Sequence, residues 1–153
     1  MAEAVRPESP SRKHCIPHVL VVAQDADYGQ LLVIELQSRS IRANHTRTVD
    51  AFLDLNSRER VDLVSLEIDV MDPETLEDIK LLRTHFGEGP GTRIVASSSF
   101  LPGAFPVLVE QRGADTCMAK LTEPNAMADA LEVELLKQVE AKKTGRANEL
   151  NLS

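Results

Sequence analysis

Short, continuous apolar runs alternate along this chain with segments in which apolar residues recur every three or four positions. HVLVVA at 18–23 carries β-branched residues without a polar interruption, the pattern of a strand buried on both faces. DADYGQLLVIELQSRS follows, with Leu31, Leu32, Ile34 and Leu36 marking a broad helical face and aspartates ahead of it suited to capping. IRANHT at 41–46 predicts a short strand, VDAFLDLNSRE at 49–59 a helix, and VDLVSLEI at 61–68 a second buried strand. PETLEDIKLLRTHF spaces Leu76, Ile79, Leu82 and Phe86 at helical intervals behind a proline and two acids. TRIVASSS predicts a strand, GAFPVLVEQRG a short helix stopped by Gly113, and ADTCMAK the last strand. The closing helix, roughly 124–142, has Met127, Ala130, Leu131, Glu134 and Leu135 near its inner face.

Strands that alternate with helices imply parallel pairing, because the crossover helix returns the chain to the same end of the sheet. Right-handed crossovers then put helices on both faces. The expected fold is therefore α/β: a doubly wound, five-stranded parallel sheet. Residues 1–16, rich in Pro, Ser, Glu and Arg, read as a disordered N-terminal arm, 17–142 as the folded domain, and 143–153 as a flexible C-terminal tail.

Composition narrows the function classes. At 153 residues the chain holds one domain, and with aromatics at 3% its core must be aliphatic. A net charge of -7 lacks the basic footprint of a partner for nucleic acid or an anionic membrane, so protein partners are expected. No apolar run approaches the roughly 18 residues of a membrane span, and the polar start lacks a secretory segment; a cytoplasmic location follows as an expectation. Two cysteines, Cys15 and Cys117, make no disulfide framework. His14, Cys15 and His18 cluster in HCIPH, but a metal site needs three or four ligands in fixed geometry, and an arm edge does not supply it.

Ligands of such sheets bind beyond the carboxyl ends of the strands, which directs attention to Ala23–Asp27, Glu67–Asp72, Ser97–Ser99 and Lys120. The acids after the third strand lack the ligand spacing and turn glycine of a calcium loop. SSSF has no nucleophile elbow, and all four histidines precede Ser97. GEGPG lies before a strand, at the wrong end of the sheet to cradle phosphate. A small-molecule site has no fingerprint here, and no cofactor, metal or enzymatic activity is expected.

An apolar first strand, an acidic cluster after the third, a hydroxyl residue after the fourth and GAD followed five residues later by Lys120 together resemble the receiver domain of two-component response regulators. The resemblance spans roughly 18–140 and implies the flavodoxin-like (βα)5 fold. It also implies that two acids after the first strand and an aspartate after the third hold magnesium, and that this aspartate accepts a phosphoryl group from a histidine kinase. The matching positions depart from that pattern. Ala23 and Gln24 stand where the acid pair is expected, with Asp25 and Asp27, beyond the strand end, as potential substitutes. Glu67 takes the phosphoacceptor position, followed by Asp69; Ser97 and Lys120 match the hydroxyl and the lysine. Leu121 replaces the following proline, so that peptide is expected trans, and Cys117 replaces the aromatic switch residue.

The resemblance thus implies a degenerate site, a pseudo-receiver that binds protein partners in bacterial signal transduction without phosphorylation. Glu67, Lys120 and Ser97 are then remnants of a switch. The alternative is a working single-domain response regulator, accepting phosphate on Glu67 or Asp69 with metal held by Asp25 or Asp27. The last strand and helix, 115–142, form the expected partner or homodimer face, since Val139 lies beyond the core it would cover.

Overall fold

The computed structural model describes residues 16–55, 59–89 and 91–152, with side chains as far as Thr144. The expectation of a disordered arm over 1–16 lies almost wholly outside the described residues, as do His14 and Cys15. Five strands, β1 (His18–Val22), β2 (Arg42–Thr46), β3 (Leu63–Glu67), β4 (Arg93–Ser98) and β5 (Thr116–Ala119), alternate with five helices. These are α1 (Ala26–Ser38), α2 (Val49–Asp54), α3 (Thr75–Phe86), α4 (Phe105–Gln111) and α5 (Pro124–Leu152). All pairings are parallel and the order is β2-β1-β3-β4-β5, the doubly wound sheet expected from the alternation.

Strand alternation divides the core in two. Val19, Val21, Leu63 and Val95 face α1 and α5, where Leu32, Leu36, Met127 and Leu131 meet them. Leu20, Val64, Leu66, Ile94 and Ala96 face α2, α3 and α4, meeting Phe52, Ile79, Leu82 and Val109. Since β1, β3 and β4 are covered on both sides, their sequences run apolar without alternation.

The helices correct the sequence reading in places. In α1 the buried set is Gly29, Leu32, Val33 and Leu36, whereas Leu31 and Ile34 are 52% and 58% exposed. The reason is at Gly29: a Cβ there would stand 2.5 Å from the His45 ring, so the helix presses its glycine onto β2 and turns the two bulky residues outward. α2 stops at Asp54, short of the expected 59. α5 continues to Leu152, through residues assigned from sequence to a tail. Lys142, near the end of the expected helix, is still anchored: its Nζ donates to Asp62 at 2.8 Å, beneath the start of β3.

GAD has a structural reason. Gly113 has φ +127° and lies against Arg83, where a Cβ would come within 2.7 Å of the arginine's own Cβ. Buried Arg83 donates to the carbonyls of Gly113, Gly87 and Thr92 and to the Asp115 carboxylate, which also accepts from the Ile94 N–H. One cation thereby satisfies carbonyls from the ends of α3 and α4 and the start of β4. On the opposite face Arg93 donates to buried Glu134 at 2.7 Å, and Thr116 and Lys137 add hydrogen bonds at 3.0 Å. Burial alone would raise the Glu134 carboxyl, but these donors outweigh it and hold the group below its ordinary range.

Candidate functional site

β3 ends on Glu67 and β5 delivers Lys120 one residue past its own end, so the parallel sheet aims both at its carboxyl edge. There Lys120 Nζ donates to Glu67 Oε2 at 2.5 Å, with the two side chains only 17% and 26% exposed. The other oxygen, Oε1, is sealed from solvent and has no hydrogen-bond partner among the described residues. The first turn of α1 covers the pair: Lys120 Nζ stands 4.2 Å from the centroid of the Tyr28 ring, and the Tyr28 hydroxyl donates to the Leu121 carbonyl at 2.6 Å. Burial, and then the Glu67 carboxylate, push the Tyr28 hydroxyl up to about 12. The described peptides are all trans, Lys120–Leu121 among them.

Beside Glu67 a cavity of about 380 Å³ opens at the switch point between β1 and β3. Gln24 and Arg47 line it from the ends of β1 and β2; Asp69, Asp72 and Asp78 line it from the β3–α3 segment. Arg47 Nε donates to the Gln24 carbonyl at 3.2 Å, which fixes a guanidinium next to the position where an acid pair is expected. Asp69 and Asp72 build the loop: Oδ1 of each accepts a backbone N–H two residues on, from Met71 and Glu74, both at 2.9 Å. The Thr75 hydroxyl donates to the Asp69 carbonyl at 2.6 Å and locks the loop to α3. Asp78, half-buried at the head of α3, is pushed up to about 6, by burial first and then by Asp50, Glu74, Asp72 and Glu77.

The other residues singled out in the sequence fall as follows. Ala23 is buried, its carbonyl accepting from His45 Nε2 at 2.7 Å. Asp25 is the N-cap of α1, accepting from the Tyr28 N–H, and Asp27 lies in the first turn. Ser97 pairs in register with Glu67 and is 2% exposed, whereas Ser98 and Ser99 are the serines that line the cavity. The Ser98 hydroxyl donates to the Phe100 carbonyl at 3.0 Å. Cys117 lies across the sheet, packed against the α2–α4 core; burial, with Glu110 nearby, pushes its thiol up and away from reactivity. His18 has both ring nitrogens engaged, by the Arg60 carbonyl at 2.9 Å and Asn44 Oδ1 at 2.6 Å.

A magnesium ion demands near-octahedral oxygen ligation at short distance. Here position 23 offers a methyl group, position 24 an amide, Glu67 is bound by Lys120, and Arg47 brings a positive charge into the same cavity. Among the described residues no three His, Cys, Asp or Glu side chains converge on a common point. This donor set does not fit the ion. Sequence reasoning missed Tyr28 and Arg47. Arg47 directly follows β2 and was open to the same strand-end rule that selected Lys120; Tyr28, inside a helix, carried no local signal.

No family model and no curated protein matches the sequence. Solved structures do. A CheY-like response regulator receiver domain protein from Methanospirillum hungatei superposes with TM-score 0.68 at 18% identity, covering 82% of this chain and 98% of that one. A response regulator from Thermotoga maritima gives 0.64 at 20% identity, covering 80% and 98%. A response regulator protein from Burkholderia pseudomallei, solved with a phosphorylated aspartic acid, a calcium ion and citrate, gives 0.63 at 20%, covering 83% and 72%.

Proposed function

We propose, on the premise that this chain has the fold of a response-regulator receiver domain, that it works as a pseudo-receiver: a phosphorylation-independent protein-interaction module in bacterial signal transduction. The observation that carries the reading is the Lys120–Glu67 pair. The lysine sits on the carboxylate at 2.5 Å, over the face of the Tyr28 ring, so the cation that would receive a phosphoryl group's charge is already neutralised. Gln24, Ala23 and Arg47 supply none of the acids that a metal-assisted transfer needs. Asp69 is tied into the loop turn and Asp25 into the α1 cap, which weighs against either taking over.

The partner face in this reading is α4, β5 and α5, within 115–142 on its C-terminal side. Val107 and Leu108 on α4, and Val133, Leu136 and Val139 on α5, are 42% to 68% exposed. The occupant is a signalling protein or a second copy of the chain; a net charge of -7 argues against nucleic acid. Among the described residues no helix is long and apolar enough to cross a membrane, in keeping with a cytoplasmic module.

The test is intact-mass spectrometry after incubation with a small phosphodonor and magnesium, beside a Gln24→Asp/Glu67→Asp variant. Wild type is expected to stay unmodified. Uptake of a phosphoryl group by wild type overturns the reading in favour of a working single-domain regulator.

A further inference from the structure

One side chain of α1 holds the corner where β5 passes into α5, and it does so twice. The Tyr28 ring lies under the Lys120 ammonium at 4.2 Å, and its hydroxyl donates to the carbonyl of the next residue, Leu121, at 2.6 Å. The ring fixes a side chain and the hydroxyl fixes the backbone beside it.

A partly exposed lysine–carboxylate pair holds its geometry weakly when alone, since a four-carbon stem has many rotamers to give up. Lys120 is not alone. The ring confines Nζ to the Glu67 side, while the hydroxyl keeps the segment between Lys120 and Pro124 from lifting. The strand contributes its own constraint at the same point, the Lys120 N–H donating to the Ser98 carbonyl at 2.8 Å. At the other end of α1, Arg39 donates to Asp129 and Glu132 in the first turns of α5, so α1 is tied both to the corner before α5 and to the start of the helix itself. Only the Tyr28 end reaches Glu67.

We propose that Tyr28 is a latch: a positioning residue that keeps Lys120 on Glu67 and clamps the β5–α5 corner, so that the α5 face keeps one arrangement until Tyr28 is displaced. The regulatory consequence rests on the reading of that face as the partner surface. A ligand that levers the first turn of α1 off the corner frees Lys120 and the start of α5 together, with no covalent change.

The test is hydrogen exchange by mass spectrometry on the full chain, comparing wild type with Tyr28→Phe and Tyr28→Leu. Phenylalanine keeps the ring and loses the hydroxyl bond, so exchange in 119–124 is expected to rise about fivefold, as for one lost hydrogen bond. Leucine loses both contacts and is expected to raise it about tenfold or more. Peptides from β2 and α2 should not change. A second readout uses the fact that Tyr28 is the sole tyrosine in a chain without tryptophan. Lys120→Met should weaken its near-ultraviolet circular-dichroism band while the far-ultraviolet spectrum stays the same. An unchanged band, unchanged exchange in 119–124, or a rise spread evenly over the chain overturns the latch. Phosphodonor labelling of wild type would sink the phosphorylation-independent reading and leave the exchange result standing.

Discussion

Asp78 offers the sharpest quantitative test of the electrostatics around the cavity. Its carboxyl is pushed from 3.8 to about 6 by burial and by Asp50, Glu74, Asp72 and Glu77. Between those values the folded chain holds a proton that the unfolded chain has released, so stability falls as pH rises from about 4 to about 6 and stays reduced above. At about 1.4 kcal/mol per pH unit between the two midpoints, the displacement corresponds to a ceiling of about 3 kcal/mol. Solvent screening of this half-buried group lowers that to about 2, and Asp78 also lies in the first turn of α3, where a negative charge gains about 0.5 kcal/mol from the helix N-terminus. Asp78→Asn is therefore expected to stabilise the protein by about 1 to 1.5 kcal/mol at pH 8 and to be neutral near pH 4. Urea unfolding at the two pH values reads this as a higher midpoint with unchanged slope at pH 8 only. Destabilisation at pH 8, or an equal gain at both pH values, would refute the argument that crowded negative charge penalises the folded state there.

Three further outcomes follow from other contacts. A double-mutant cycle on Glu67→Gln and Lys120→Met should give a coupling of about 1 to 2 kcal/mol, each single change leaving a half-buried partner unsatisfied; strictly additive unfolding energies would contradict the closed pair. Gly113→Ala should cost about 2 kcal/mol or more, from the strained φ and the collision with Arg83, and a melting temperature within a degree of wild type would show that the turn relaxes freely. Glu134→Ala should cost about 3 kcal/mol at pH 7 by stranding Arg93. Because the folded Glu134 carboxyl lies below its ordinary range, the contribution is present above 4.5 and is lost as pH falls through the folded value, so the gap between wild type and variant should close in acid.

The sheet was legible because its central strands are covered on both sides and so read as unbroken apolar runs, while the helices between them keep a 3.6-residue period. Lys120, Glu67 and Gln24 were legible too, since a strand's end in a parallel sheet fixes where the next side chains point. The face of α1 was not. Counting apolar residues favoured Leu31 and Ile34, but the helix is oriented by a glycine, whose value is the absence of a side chain against His45. Choosing among Ser97, Ser98 and Ser99 required knowing which of consecutive, alternately directed residues opens to the cavity, and a one-residue difference reverses the answer. Arg83 and Tyr28 act across 32 and 93 residues of sequence, distances at which a pattern along the chain carries no information about contact.

The strand order has a further bearing, on how the molecule avoids the wrong company. Among the described residues it leaves β2 and β5 with one open edge each, where unpaired backbone groups invite another chain to add a strand. β2 is five residues long and bears Arg42, Asn44 and His45, while β5 is four residues long. Short rims, one of them charged and polar, template an intruding strand poorly. The borders of the sheet therefore offer little to a chain adding itself as a sixth strand.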